Sequence, residues 1–220
     1  MASAPSMTTY LANKILGNYL GGVPFSPPAI LFLGLATSCN AGGEITGEPT
    51  IGEHGYARVP FVITDVTCTF ANGGTACSVS GGTTTYPVGT ILAFRNTSGA
   101  LPANISANTP YFVVDGSSST IKVSTSQAGS PITFSDAGTG TNYVTSVWGT
   151  AVSSQIQNAV ALTFPTDVST NWGEMSIFVI VDAATAGNVW FYNAITGATT
   201  IDVDQTPYFP ASQLTIGPMA

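Results

Sequence analysis

Charge is what this sequence has least of: 7% of its 220 residues are Asp, Glu, Lys or Arg, against roughly 25% in an ordinary soluble domain. The deficit fits a surface covered by other subunits, and it fits a bland neutral-polar β-surface nearly as well. Positive charge is scarcer still. Lys14, Arg58, Arg95 and Lys122 are the only cations and the formal net charge is −7, so the chain has no basic footprint for a phosphate backbone and nucleic-acid binding is not expected. Long apolar runs are missing too. The densest, Ala29 to Ala36, falls far short of the ~20 residues that cross a bilayer, and no basic stretch followed by an apolar one opens the chain. The expectation is a protein made in the cytoplasm that does not insert into a membrane.

Three cysteines, Cys39, Cys68 and Cys77, are too few and too unevenly spaced for a disulfide scaffold, and no Cys-x-x-Cys with partner histidines offers a zinc site. His54 is the only histidine, so any Ser–His or Cys–His mechanism must run through it. It stands in Glu53-His54-Gly55 on an expected loop, where a surface histidine with no catalytic duty is the ordinary reading. No metal, cofactor or catalytic residue is assigned from the sequence.

What the chain does have is apolar residues, 44% of the total, enough for a sizeable core. Thr8 to Leu20 places Tyr10, Leu11, Ile15, Leu16, Tyr19 and Leu20 at helical spacing behind a Thr cap, and Gly21-Gly22 stops it. This predicts one helix whose apolar face packs on the parent sheet or on a neighbouring subunit. Elsewhere the pattern is β. Ala29 to Thr37 reads as a buried strand, Ser38 to Gly55 as a long exposed loop, and short β-branched and aromatic runs then recur between turn signals. They cover Arg58 to Val66, Ile91 to Arg95, Tyr111 to Asp115, Thr120 to Ser124, Ile132 to Ser135, Tyr143 to Trp148 and Ala159 to Phe164. Met175 to Asp182, Asn188 to Ile195, Thr199 to Val203 and Gln213 to Ile216 complete the set. Strands at such spacing mean a sandwich or a barrel. The run Ile177 to Val181 alternates poorly, which predicts a central strand covered on both faces.

Between Val66 and Val147 the composition shifts toward Gly, Ser and Thr with weaker strands. The shift predicts a small β-module, 66–147, inserted into a discontinuous parent, 1–65 plus 148–220. The parent is expected to be a β-sandwich carrying the helix.

Other candidate groups each have a plain alternative. Glu44, Glu48 and Glu53 could act as paired carboxylates or hold calcium, but a solvated acidic loop is the favoured reading. Asp202 and Asp204 alternate on an expected strand and could share a cation, or simply face solvent. Gly73-Gly74 and Gly81-Gly82 are turns, since no Gly-Lys-Ser/Thr follows either pair. Asn96-Thr-Ser and Asn104-Ile-Ser match the glycosylation acceptor pattern, which is frequent by chance in so polar a chain. Trp148, Trp172 and Trp190 could form a sugar-stacking platform, with core or subunit interface as the default. Finally, Asn72-Gly73 is a preferred centre for a two-residue hairpin, which would set Cys68 opposite Cys77 and make a bridge sterically feasible.

Several segments resemble a known family. The helix from Thr8, the strand Leu31-Phe-Leu-Gly-Leu-Ala-Thr, Gly43-Glu-Ile, Gly55-Tyr-Ala-Arg-Val, Leu162-Thr-Phe-Pro-Thr and Asn171-Trp-Gly are similar to small tailed-bacteriophage proteins labelled tail fibre or minor tail protein. Asp182-Ala-Ala-Thr, Asn188 to Tyr192 and Phe209-Pro-Ala-Ser-Gln-Leu-Thr-Ile continue the likeness, which covers about residues 8 to 64 and 159 to 217. Pro87-Val-Gly-Thr, Asn108-Thr-Pro-Tyr-Phe-Val-Val and Ser119-Thr-Ile-Lys-Val-Ser resemble a β-module that recurs in phage tails.

The resemblance implies a non-catalytic structural protein of the virion, made in the host cytoplasm and working in assembly and host attachment. Its expected partners are other virion proteins, further copies of itself as a homotrimer by analogy, and a host surface glycan. A capsid decoration protein bridging major capsid subunits, and a carbohydrate-binding receptor module, are the alternatives. An enzyme is not expected.

Overall fold

The computed structural model describes residues 6–80, 84–149, 151–153 and 155–217. It is mainly β with one helix, as expected, and divides into two compact units, residues 1–59 with 150–220 and residues 60–149.

Strand β1 (Ser6–Met7) leads into the helix α1 (Thr9–Tyr19). Thr8 keeps an extended backbone and its hydroxyl accepts from the Leu11 N–H, satisfying one of the donors a helix start leaves free. The same hydroxyl donates to Val189 O, fixing the helix start on the sheet. Leu20 closes the other end, its N–H reaching Leu16 O at 2.9 Å. Burial departs from expectation. Of the helix's apolar residues only Leu11 is buried, while Leu16, Tyr19 and Leu20 are 55%, 80% and 84% exposed.

Next come β2 (Ile30–Ala36) and a short hairpin of β3 (Ser38–Cys39) and β4 (Ile45–Thr46). That hairpin folds part of the expected loop, and its Cys39 and Ile45 pack on a cluster of Ala36, Ile177, Val179 and Val181. Strand β5 (Val59–Val62) carries the chain from one unit to the other.

The second unit contains a closed barrel. Its strands are β6 (Val66–Thr69), β7 (Ala76–Val79), β8 (Ile91–Thr97), β9 (Tyr111–Gly116), β10 (Thr120–Ser124) and β11 (Thr141–Thr145). The antiparallel circuit runs β8–β11–β6–β7–β10–β9 and back to β8, so the six strands leave no edge unpaired. Phe70 packs against its aromatic core, 5.2 Å from the Phe94 ring and 4.7 Å from Phe134. The segment Ile132 to Ser135, expected as a strand, is irregular instead. It delivers Phe134 to this core and exchanges backbone hydrogen bonds with the turn at Gly73 and Gly74. Where the chain enters and leaves the unit, Val147 N–H donates to Val62 O at 3.3 Å.

The hairpin register predicted at Asn72-Gly73 is overturned. Cys68 faces Val79 and Thr69 faces Ser78, a shift of two residues from the expected pairing of Cys68 with Cys77. A two-residue shift keeps every side chain on its face, so both cysteines stay buried as free thiols. The cause is tertiary. The turn at Asn72-Gly73 forms, with Gly74 N–H on Ala71 O at 2.9 Å, but burying Phe70 against Phe94 and Phe134 and bonding Gly73 and Gly74 to Phe134 shift the register between the turn and the strands.

Back in the first unit lie β12 (Ile156–Gln157), β13 (Leu162–Thr163), β14 (Gly173–Val181), β15 (Val189–Ile201), β16 (Tyr208–Phe209) and β17 (Thr215–Ile216). β14 lies between β2 and β15, and β1 pairs with the far side of β15. Residues 177–181 are all buried, which explains their poor alternation: the strand is covered on both faces. The expected strand Thr199 to Val203 is not separate, because β15 continues through a bulge opposite Met175 to Ile177. β12 pairs with β17 and β13 with β16, forming two short ribbons.

Candidate functional site

A buried polar cluster of the first unit is one the sequence reading missed. Arg58 and Glu48 form an ion pair at 2.8 Å with side chains only 4% and 14% exposed, so Glu48 is not the solvated loop residue it was expected to be. Tyr56 Oη adds a hydrogen bond to Glu48 Oε1 at 2.9 Å, and accepts from Leu35 N–H at 2.9 Å. Burial and the neighbouring Glu48 charge push the Tyr56 phenol far above its usual range. Arg58 also donates to Ala183 O and Ala186 O, so the cluster joins three loops. Glu44 closes its own turn with Asn40, and Glu53 is exposed. The three glutamates do not converge.

His54, held at a φ of 50°, meets Ser169 Oγ at 3.1 Å. A working Ser–His pair needs a third group to orient the ring. The nearby buried carboxylate, Asp167, is instead bonded to Trp172 N–H at 3.0 Å. His54 contributes mainly through its carbonyl, which accepts from Val168 N–H at 2.9 Å and from the Trp172 indole at 3.0 Å.

Asp202 and Asp204 do not alternate on a strand, which corrects the sequence reading. β15 ends at Ile201, and the two residues belong to a turn closed by Gln205 N–H to Asp202 O, with Asp204 at a φ of 66°. Asp tolerates that left-handed conformation better than most residues. Among the described residues no group of three or more His, Cys, Asp or Glu could hold a metal ion.

The three tryptophans are buried and make no exposed platform. Trp172 lies edge-on to Tyr56 at 5.0 Å, Trp190 packs on Phe25 at 5.5 Å, and Trp148 lies 6.0 Å from Phe61. Asn96 and Asn104 spend their amides inside the barrel unit, on Thr139 O and Asn142 Oδ1 and on Thr133 O. Gly74 N–H closes its turn on Ala71 O, whereas Gly81 and Gly82 lie outside the described residues.

What remains available on the first unit is the surface around α1. A concavity of about 320 Å³ lies between the helix and the segment after it, lined by Tyr10, Asn13, Lys14, Val23 and Phe25. Lys14 hangs over the Tyr10 ring at 5.5 Å. Leu16 and Tyr19 on the helix, Leu20 at its C-cap and Val23 just after it are exposed apolar residues.

A family model described as Podophage GP4 fiber I protein gp80 matches residues 92–217, more than half of the chain. The chain belongs to this fibre family. The match opens in β8 of the barrel and runs to β17, so it draws on both units of the fibre protein. It takes in the segment 159–217 that resembled phage tail proteins, and leaves 8–64 outside. No curated protein matches the chain. Membership makes the fibre protein a structural component of a bacteriophage particle, associated with other virion proteins. No described helix is long and apolar enough to cross a membrane.

Proposed function

We propose that this fibre protein is a non-catalytic subunit of a phage tail fibre that assembles through its first unit and contributes to host attachment. The observation that carries the reading is the family match, and the exposed apolar residues at the end of α1 agree with it. A monomer in water seldom leaves four large apolar side chains exposed at and just after one helix end unless something covers them. The polar clusters agree as well, since each serves its own loops and none converges on a site where a reacting atom could sit.

Attachment falls to the barrel unit in this reading. Its groove of about 280 Å³, lined by Thr67, Thr69, Phe70 and Asn142, offers hydroxyls and an amide suited to a host glycan. Cryo-electron microscopy of particles carrying a tagged chain tests the location. Density on tail fibres, at tens of copies or fewer, is the expected result. Density spread over the capsid in hundreds of copies would establish the decoration reading instead.

A further inference from the structure

Asn72 is the one asparagine of the chain that is followed by glycine. That dipeptide is chemically fragile, because glycine has no side chain to keep its backbone nitrogen away from the asparagine amide carbon. In the reaction the Gly73 nitrogen gives up its proton to water or hydroxide and forms a bond to Asn72 Cγ. The Cγ–Nδ2 bond breaks, and Nδ2 leaves as ammonia. Water then opens the cyclic imide at either carbonyl, leaving an aspartate or an isoaspartate at position 72. The sum is amide and water to acid and ammonia, with nothing oxidised or reduced.

The structure treats the two reacting groups unequally. Asn72 is exposed, which leaves its amide carbon open to attack. The nucleophile is held. Gly73 N–H donates to Phe134 O at 2.9 Å, which retains its proton and keeps the residue at a φ of 71°. Phe134 N–H in turn donates to Gly74 O at 2.8 Å, and Gly74 N–H closes the turn on Ala71 O at 2.9 Å. Burial does not do this work, since Gly73 is exposed and a Cβ placed there would meet nothing within 4 Å. Phe134 is itself anchored twice. Its ring packs on Phe70 at 4.7 Å, and Asn104 grips both neighbours, Nδ2 donating to Thr133 O at 2.8 Å and Oδ1 accepting from Ser135 N–H at 3.1 Å.

We infer that Asn72 is a deamidation site that the folded barrel keeps closed through Phe134, and that it opens when residues 132–135 leave the turn. Once made, the change sustains itself. Isoaspartate routes the main chain through Cβ and lengthens it by one carbon, inside the turn whose bonds set the register of β6 and β7. The bonds that prevented the reaction then cannot re-form, so one opening of the barrel is recorded permanently. A particle component is not replaced after assembly, and these bonds limit how fast the fibre protein ages at this turn.

Peptide mapping by mass spectrometry tests it, on full-length protein incubated for weeks in warm, mildly alkaline buffer, native and in urea. The peptide holding Asn72 should convert to the acid form about tenfold or more slowly in the native protein, because reaction there waits on local opening. Asn104 is exposed and distant in sequence from the turn, so Asn104→Ala should leave the barrel folded while releasing Phe134. It should speed both hydrogen exchange at the Gly73 amide and conversion of Asn72, by the same factor. A native protein that converts as fast as the unfolded one overturns the inference, and so does an unfolded chain that does not convert. An Asn104→Ala protein that melts as a folded chain and exchanges Gly73 faster, yet converts at the wild-type rate, overturns the part given to Phe134.

Discussion

Arg58 holds both carboxylate oxygens of Glu48, Nε to Oε1 at 2.8 Å and Nη2 to Oε2 at 2.8 Å. The two parallel bonds match the guanidinium fork, and the remaining nitrogen is spent on Ala183 O and Ala186 O. Removing one member leaves the other charge buried without compensation. Arg58→Ala should therefore cost about 3–5 kcal/mol and lower the melting midpoint by on the order of 10 °C. Arg58→Lys should recover only part of this, because an ammonium cannot reproduce the fork. Calorimetry showing an unchanged midpoint for Arg58→Ala would refute the role given to the pair.

Gly34 makes room for this cluster. A Cβ at that position would lie 2.9 Å from Glu48 Oε1, 2.9 Å from Val179 Cγ2 and 3.2 Å from Tyr56 Oη. Gly34→Ala should displace the ion pair and destabilise the protein by about 1–3 kcal/mol, the usual range for overpacking. A denaturant midpoint equal to wild type would show that β2 yields without cost.

Acid should weaken the barrel unit. Burial pushes the Asp65 carboxyl up, but hydrogen bonds from Arg95 and Thr145, the Arg95 charge and the Ser146 N–H together hold it below its ordinary 3.8. The N–H groups of Ala103 and Gly138 lower Asp136 as well. Both carboxylates bind a proton less readily folded than unfolded. Their contribution is complete above the ordinary value and disappears as pH falls through the folded one. Wild-type stability should thus decline below about pH 4, and that of the Asp65→Asn, Asp136→Asn double variant should decline less. Superimposable acid limbs would contradict the assignment.

The thiols should stay reduced. Cys68 and Cys77 are diagonal neighbours across β6 and β7, not a directly facing pair, and both are free thiols. A hydrogen bond with the Cys68 thiol, then burial, raise the Cys77 thiol far above its ordinary range, and burial pushes Cys39 up to about 11. The native protein should react slowly with iodoacetamide near neutral pH, and all three cysteines should label once it is unfolded without reductant. Recovery of a Cys68–Cys77 disulfide peptide from aerobically purified protein would overturn this.

Local signals were readable in the sequence and non-local ones were not. The Thr8 cap, the Gly21-Gly22 stop and the poor alternation of Ile177 to Val181 act within a few residues, and the helix and the central strand follow them. The turn at Asn72-Gly73 was read correctly, but the register beyond it was not, because Phe134, some sixty residues away, bonds to Gly73 and Gly74 and shifts the pairing of the strands. Barrel closure through β8 and β9 depends on pairings that no single segment announces. Glu48 was misread for the same reason. Its loop looks solvated from composition, and only the fold brings Arg58 and Tyr56 over it. The exposure of Leu16, Tyr19 and Leu20 was out of reach too, since helical spacing reports that a face is apolar and not what covers it.

The hydrogen bond from Val147 to Val62 has a mechanical consequence. In the proposed attachment role, tension pulled through the chain reaches the barrel unit at its two chain ends together. Those two ends are tied by this bond, so the pull crosses that short neck. The closed circuit of β6 to β11 hangs beside the load path as a slack loop, and should keep its shape under forces that strain the rest of the chain.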